Sequence, residues 1–359
     1  MKQLTLTFLL LAAAITPRAQ EKPLLIELPP GTLPAAVGGG GIVVGTLTSG
    51  GAFYWMPTTG VVYIGGTQGN AVSRDGRTIV GRARDARGKE NAAIWQRAAE
   101  WRLLGSFTAN AAACDDLLSG SFGASPDASI IVGLGWDGCT YAHGFTWRES
   151  TGMVDLGTSV AGRSTRANAV SNEGRMIVGW QDASTGLRQA ARWVDGRQEL
   201  FMGPHGVVGE ASATNADGSL VVGQNCNFSN ALDQSAWSWT ASTGVRCHPA
   251  PRVRVSSRRY IAGMDATSDD GRVIGGFHGF GLDSEAVLWL DGEAIYLRDY
   301  LRNNGVLDAF NGWINTGFVT AVSPDGRMIA GQGAGPRDFQ GYVVMLGDLS
   351  ARPKSEVSR

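Results

Sequence analysis

The chain has 359 residues, 31 Lys+Arg against 32 Asp+Glu, and a net charge of −1. That balance argues against nucleic acid as a partner, because no basic stripe is available to track a phosphate backbone. Glycine, at 51 residues, is far above the average of about 7%. With no short strict period, those glycines point to hairpin turns and close strand contacts rather than to disorder.

In chain order, Lys2 is followed by an apolar run over 4–15 and small residues up to Ala19. This predicts a secretory signal peptide over 1–19. The run is too short to span a bilayer, which needs about 20 apolar residues, and no later run is longer. The expected location is therefore secreted or periplasmic. Residues 20–349 are predicted to form one domain, and 350–359 a polar tail.

Residues 24–28, L-L-I-E-L, resemble an outer strand that lacks the rest of its unit. A degenerate hairpin, A-V-G-G-G-G-I-V-V-G, follows at 36–45. Residues 70–81 then read N-A-V-S-R-D-G-R-T-I-V-G, and the pattern returns. Residues 168–179 read N-A-V-S-N-E-G-R-M-I-V-G, and 320–331 read T-A-V-S-P-D-G-R-M-I-A-G. Looser copies occupy 122–133, 212–223 and 265–276. The acidic turn residues stand at 75, 127, 173, 217, 270 and 325, so successive intervals are 52, 46, 44, 53 and 55. In each copy a glycine lies six residues further on.

Two apolar runs around an Asp-Gly turn predict a tight hairpin, because Gly adopts positive φ without steric cost. A third strand follows, carrying a small residue, an apolar residue, a variable residue and then Trp. Trp55, Trp95, Trp147, Trp193, Trp239 and Trp289 fill this column, six of the eleven Trp in the chain. Scattered core aromatics would not align this way. A turn and a short fourth strand complete the unit. Four strands at a period near fifty predict blades of a β-propeller, and the copies count to seven.

The last unit has three strands, and the chain begins with an unpaired one. Pairing 24–28 with 343–346 would complete the blade, bury Leu25 or Leu28 against its neighbour, and remove an exposed edge. The expected fold is all-β: a seven-bladed propeller of four-stranded blades, closed by the N-terminal strand.

Four cysteines in a secreted chain suggest two disulfides, with three possible connectivities. Cys139 and Cys226 each follow the second strand of a unit, Cys114 lies in a link before a unit, and Cys247 ends a fourth strand. These positions emerge on one face, so Cys114–Cys139 and Cys226–Cys247 are the expected local pairs. No C-x-x-C or C-x-x-H spacing suggests a metal site.

No catalytic motif is present. His143, His205, His248 and His278 have no ligand-spaced partners and are expected on wet loops. The Asp of each D-G turn lacks the alternating acids of a calcium loop and is expected to build the turn. The basic cluster at 252–259 is expected in a solvated loop between blades. No cofactor is implied.

Two sets of positions differ between otherwise similar units. Five residues before each acidic turn residue stand Asn70, Phe122, Asn168, Ser212, Asp265 and Thr320. Seven before stand Gln68, Gly120, Arg166, Glu210, Gly263 and Phe318. In a propeller both sets would ring the mouth of the central channel on the loop face. Asn70, Arg166, Asn168, Glu210 and Asp265 are the candidate ligand-binding residues, because binding sites gather a few convergent polar groups in a concavity.

The pairing of A-V-S-x-D-G-x-x-I-V-G with a small-apolar-x-Trp column resembles the HAF repeat of bacterial extracellular proteins, over roughly 35–346. The tripeptide that names the family is matched most nearly by His143-Gly144-Phe145 and Gly51-Ala52-Phe53. The resemblance implies secretion and a repeat fold, and it carries over no functional residues. The expected function is non-catalytic binding of an extracellular ligand, glycan or protein, by a monomer that uses its loop face. The alternative is a hydrolase or lyase acting on an extracellular polysaccharide at the channel mouth. Convergence of Glu210 and Asp265 to within about 5–9 Å would favour glycoside hydrolysis.

Overall fold

The computed structural model describes residues 22–97, 99–107, 116–228, 235–249, 251, 261–347 and 349. The expected signal peptide, the C-terminal tail, Cys114 and the basic cluster at 252–259 lie outside the described residues.

Seven antiparallel four-stranded sheets follow one another along the chain. Blades 1 to 6 occupy residues 32–63, 68–105, 119–155, 165–200, 211–248 and 262–296. Blade 7 takes three strands from 318–345 and its outermost from Leu24–Pro30. The first strand of each blade packs against the first strands of both neighbours, so seven inner strands surround a central channel.

The N-terminal strand pairs as the sequence suggests, with Leu24 opposite Met345, Leu25 opposite Val344 and Ile26 opposite Val343. Leu28 is buried with Val37, Phe53 and Trp55 of blade 1. Leu25 packs on the cluster beneath blade 7.

The Trp column is core. Trp193 and Trp289 are essentially inaccessible, and Trp55, Trp95 and Trp147 are buried. Each stands opposite the Val or Ile of its second strand, as Ile177 faces Trp193 and Ile79 faces Trp95. Blade 5 differs: Trp237 takes the fully buried place, and Trp239 is only partly covered.

The D-G turns are built as read. Ser73 Oγ bonds Asp75 Oδ1 at 2.7 Å and receives the Thr78 amide at 3.0 Å, and Asp75 Oδ1 accepts the Arg77 amide at 3.0 Å. Those donors hold the Asp75 carboxyl below its usual range, and the same holds for Asp127 and Asp217. In blade 3 the turn glycine is replaced by Ala128, which nevertheless keeps φ 55.

Each inner strand carries one β-bulge, at the same place in all seven blades. The register skips Ala35, Asn70, Phe122, Asn168, Ser212, Asp265 and Thr320. A bulge re-aims the extra residue's side chain and bends the strand. It also explains the glycine six residues after the turn acid. A Cβ on Gly81 would lie 1.9 Å from the Gln68 carbonyl oxygen, and one on Gly179 equally close to that of Arg166. The counterparts at Gly45, Gly133, Gly223, Gly276 and Gly331 would meet the equivalent carbonyl at 1.9–2.3 Å. The glycine column is thus a consequence of the bulge on the adjacent strand of the same blade.

Among the described residues, two elements between blades have no counterpart in the repeat. A two-stranded ribbon, Met202–Gly203 with Gly206–Val207, links blades 4 and 5. Helix α1 (Leu297–Asn303) links blades 6 and 7 and buries Leu297, Tyr300 and Leu301. Phe310 and Trp313, beyond the helix, stack edge-on against each other and against Tyr342 of blade 7.

The Cys226–Cys247 disulfide is formed within blade 5. Cys139 is also disulfide-bonded; its expected partner, Cys114, lies outside the described residues. The histidines correct the sequence reading, which put all four on wet loops. His205 is exposed, but His278 is buried with Nδ1 at 2.7 Å from the Tyr296 hydroxyl. His248 Nε2 sits 2.7 Å from Ser238 Oγ, and burial lowers its pKa. His143 Nδ1 faces Asp155 at 2.8 Å. The strands that carry these three residues are longer than the sequence signals, so the side chains fall inside the sheets.

Candidate functional site at the channel mouth

The bulge residues and those two positions earlier line the channel toward the loop face. All five candidates are partly buried there. Three form one cluster. Arg166 Nη2 pairs with Glu210 Oε1, Arg166 Nε donates to Asn168 Oδ1 at 2.6 Å, and Asn168 Nδ2 donates to Glu210 Oε1 at 2.8 Å. Arg188 adds a second guanidinium 3.5 Å from Glu210 Oε2. Asp265 is the next acid round the ring. Burial, and then the negative charge of Glu210, push its pKa up to about 7. Asn70 stands apart on blade 2, where Nδ2 donates to the Ser121 carbonyl at 2.8 Å.

The residue after each glycine of the column faces the same mouth, because it pairs with the position seven before the turn acid. Arg82 lies opposite Gln68, and Trp180 opposite Arg166. These residues were missed from sequence, although the register of the hairpin was enough to place them. They complete a stacked series. The Arg82 and Arg166 guanidiniums lie over the Phe122 ring at 5.2 and 4.7 Å. Arg166 and Arg188 lie over Trp180 at 5.4 and 4.4 Å. The order Arg82, Phe122, Arg166, Trp180, Arg188 therefore runs from blade 2 to blade 4 and ends on Glu210 of blade 5. Such contacts strengthen as they are desolvated. Burial lowers the pKa of both Arg82 and Arg166. Arg82 is balanced by Glu90 at 3.6 Å. The Arg82 Nε and Trp180 Nε1 protons are buried without a protein acceptor. Arg188 is the accessible end, with its side chain 53% exposed.

The opposite end of the channel is built differently. The residue before each turn acid points inward, and its backbone bonds to the next blade. Gly39 N donates to Arg74 O at 2.8 Å, and Arg74 N to Pro126 O at 2.7 Å. Asn172 N donates to Ala216 O at 2.9 Å, Ala216 N to Asp269 O at 3.2 Å, and Asp269 N to Pro324 O at 2.9 Å. The series breaks after Pro126 and after Pro324, the two positions with no N–H to give. Arg74 and Asp269 form an ion pair. They belong to blades 2 and 6, three places apart in a ring of seven, so the pair spans the channel. A cavity of ≈ 140 Å³ lies at this end, bordered by Val72, Ala124, Val170 and Thr214 as well as the ion pair.

No protein-family model matches the chain, and no curated protein does. Solved structures do match. The β-propeller domain of the Trilobed protease from Pyrococcus furiosus aligns with TM-score 0.55 at 9% identity, over 88% of this chain and 96% of that one. The hydrazine synthase of Kuenenia stuttgartiensis aligns with TM-score 0.52 at 14% identity, over 87% and 95%. TolB from Acinetobacter baumannii gives TM-score 0.47 at 12% identity, and this chain spans only 57% of its length. At such identities the likeness concerns the fold.

Proposed function

We propose that the protein is a secreted or periplasmic, non-catalytic binding module of the HAF-repeat kind that takes an extracellular glycan or protein at the loop-face mouth of its channel. The observation that carries this reading is the contrast between frame and mouth. Seven blades share one bulge and one glycine, yet the bulges aim six residue types into the channel, with only Asn, at 70 and 168, used twice. Variation confined to converging side chains on a constant frame is what a recognition site requires. The Arg82–Arg188 series holds its guanidiniums on aromatic rings and leaves Arg188 accessible at its end, suited to hydrogen-bonding the hydroxyls or carboxylates of a sugar. The Cys226–Cys247 disulfide supports an oxidising compartment.

A second reading, hydrolysis or lysis of an extracellular polysaccharide, is favoured by one observation. Asp265, raised to about 7 by burial and by Glu210, lies near that carboxylate, which is paired with two guanidiniums. That is the division of roles between a general acid and a charged partner. Against it, Glu210 is tied to Arg166, Arg188 and Asn168 and has no free oxygen for a nucleophile or base. The two readings part when the protein is incubated with neutral and acidic polysaccharides near neutral pH. Binding without new reducing ends or unsaturated products supports the module. Turnover that vanishes in both Glu210→Gln and Asp265→Asn would replace it with the enzyme.

A further inference from the structure

Three bulge residues do the same thing at the channel. The Asn70 side chain donates to the Ser121 carbonyl at 2.8 Å, Asn168 to that of Ala211 at 2.8 Å, and Thr320 to that of Pro34 at 2.7 Å. In every case the acceptor is the residue just before the bulge residue of the next blade. These ties join blade 2 to 3, blade 4 to 5 and blade 7 to 1. Asp265 holds the same place in blade 6, and the corresponding acceptor in blade 7 is Val319. The inner strands of blades 6 and 7 are packed together. Val319 itself lies against blade 6, where a Cβ on Gly275 would come within 2.3 Å of its side chain. An ionised carboxylate cannot donate to a carbonyl oxygen, and facing one while buried would be unfavourable; a neutral carboxyl has the one proton required.

We propose that Asp265 is a proton-dependent tie between blades 6 and 7: its carboxyl O–H donates to the Val319 carbonyl oxygen, and loss of that proton releases the seam at the channel. The surroundings favour the neutral form. Among the elements against Asp265, the inner strands Ala211–Thr214 and Phe318–Val322 and the blade 5 strands Leu220–Gly223 and Ala236–Thr240 carry no titratable group. The second strand of blade 6, Val273–His278, carries only His278, which is turned to Tyr296. The charge that acts on it is Glu210, itself bound by Arg166 and Arg188. Burial and Glu210 both act to retain the proton, consistent with a pKa near 7.

The sign of the pH effect follows. A carboxyl whose pKa is raised on folding contributes stability that is complete below the unfolded value, about 3.9, and is lost as pH rises through the folded value. Thermal melts of wild type, Asp265→Asn and Asp265→Ala at about pH 5.5 and about pH 8.5 test the tie. Asparagine can make the same bond at any pH, as Asn70 and Asn168 do. The wild type should lose several degrees of melting temperature between the two conditions that Asp265→Asn does not lose. At the higher pH, Asp265→Asn should melt above wild type, and Asp265→Ala should fall below Asp265→Asn throughout. Identical pH dependence in wild type and Asp265→Asn would overturn the proposal. Should either variant fail to fold, infrared spectra of the wild type decide alone. A buried protonated-carboxyl stretch present at the lower pH and absent at the higher supports the tie, and its absence at both refutes it.

Discussion

The two ends of the channel are made of the same seven hairpins and use them oppositely. At the turn end, blades are joined by backbone: five amide-to-carbonyl bonds, interrupted only by Pro126 and Pro324, and one ion pair across the opening. At the loop-face mouth, side chains add to the joining of blades: Asn70, Asn168 and Thr320 act as ties with a cation–aromatic series beside them, and one backbone bridge, Gln224 to Gly263, links blades 5 and 6. Backbone bonds depend little on residue identity, so the turn end tolerates sequence drift and serves architecture. Side-chain bonds depend on it wholly, so the mouth is where the chain can specialise. The proposed binding site lies at the mouth for that reason.

The comparison breaks first if the frame is not shared. Removing residues 23–30 takes the outer strand from blade 7 and uncovers Val343 and Val344, both buried. The expected outcome is insoluble protein or a collapse in melting temperature, whereas removing 350–359 should leave the melt unchanged. An N-terminal deletion that melts like the parent would mean the seventh blade holds without its fourth strand.

Next in size is the Trp column. Trp193 is fully buried, and its Nε1 donates to the Leu156 carbonyl at 3.1 Å. Trp193→Ala should cost roughly 3–5 kcal/mol in denaturant melts, and a loss below about 1 kcal/mol would deny it a core role.

The bulge is probed by Gly179→Ala. The added methyl meets a backbone oxygen rather than a flexible side chain, so the inner strand must shift. A cost of about 1–3 kcal/mol is expected, together with a change in the Arg166–Glu210 contact. A neutral substitution would show that the bulge relaxes freely and cannot fix the mouth.

The smallest effect belongs to the turn end. Arg74 and Asp269 keep side chains 47% and 35% exposed, and water screens such a pair. Arg74→Ala should change stability by about 0–1 kcal/mol, most visibly at low salt.

The frame was legible in the sequence because it repeats: Asp-Gly turns, a glycine column and a Trp column align without any structure. The place of Asn70, Arg166, Asn168, Glu210 and Asp265 on or beside the inner strands followed from spacing. Their grouping did not, because it depends on which blades adjoin and on bulges that leave no residue signature of their own. The glycine column was the trace of those bulges, readable only once the Gln68 and Arg166 carbonyls are seen against Gly81 and Gly179. Arg82 and Trp180 escaped because they sit on the second strand, outside the segment compared. Helix α1 and the 202–207 ribbon escaped because each occurs once, so no repetition marks them. The histidines were misplaced because strand ends were set too short.

The most direct test of the division between the two ends is a thermal-shift comparison of wild type, Arg188→Ala at the mouth and Arg74→Ala at the turn end, against one panel of neutral and acidic oligosaccharides. A ligand that binds only the folded state raises its melting temperature. The account predicts that an oligosaccharide which stabilises the wild type also stabilises Arg74→Ala and fails to stabilise Arg188→Ala. Stabilisation retained by Arg188→Ala and lost in Arg74→Ala would put the ligand at the turn end and contradict it.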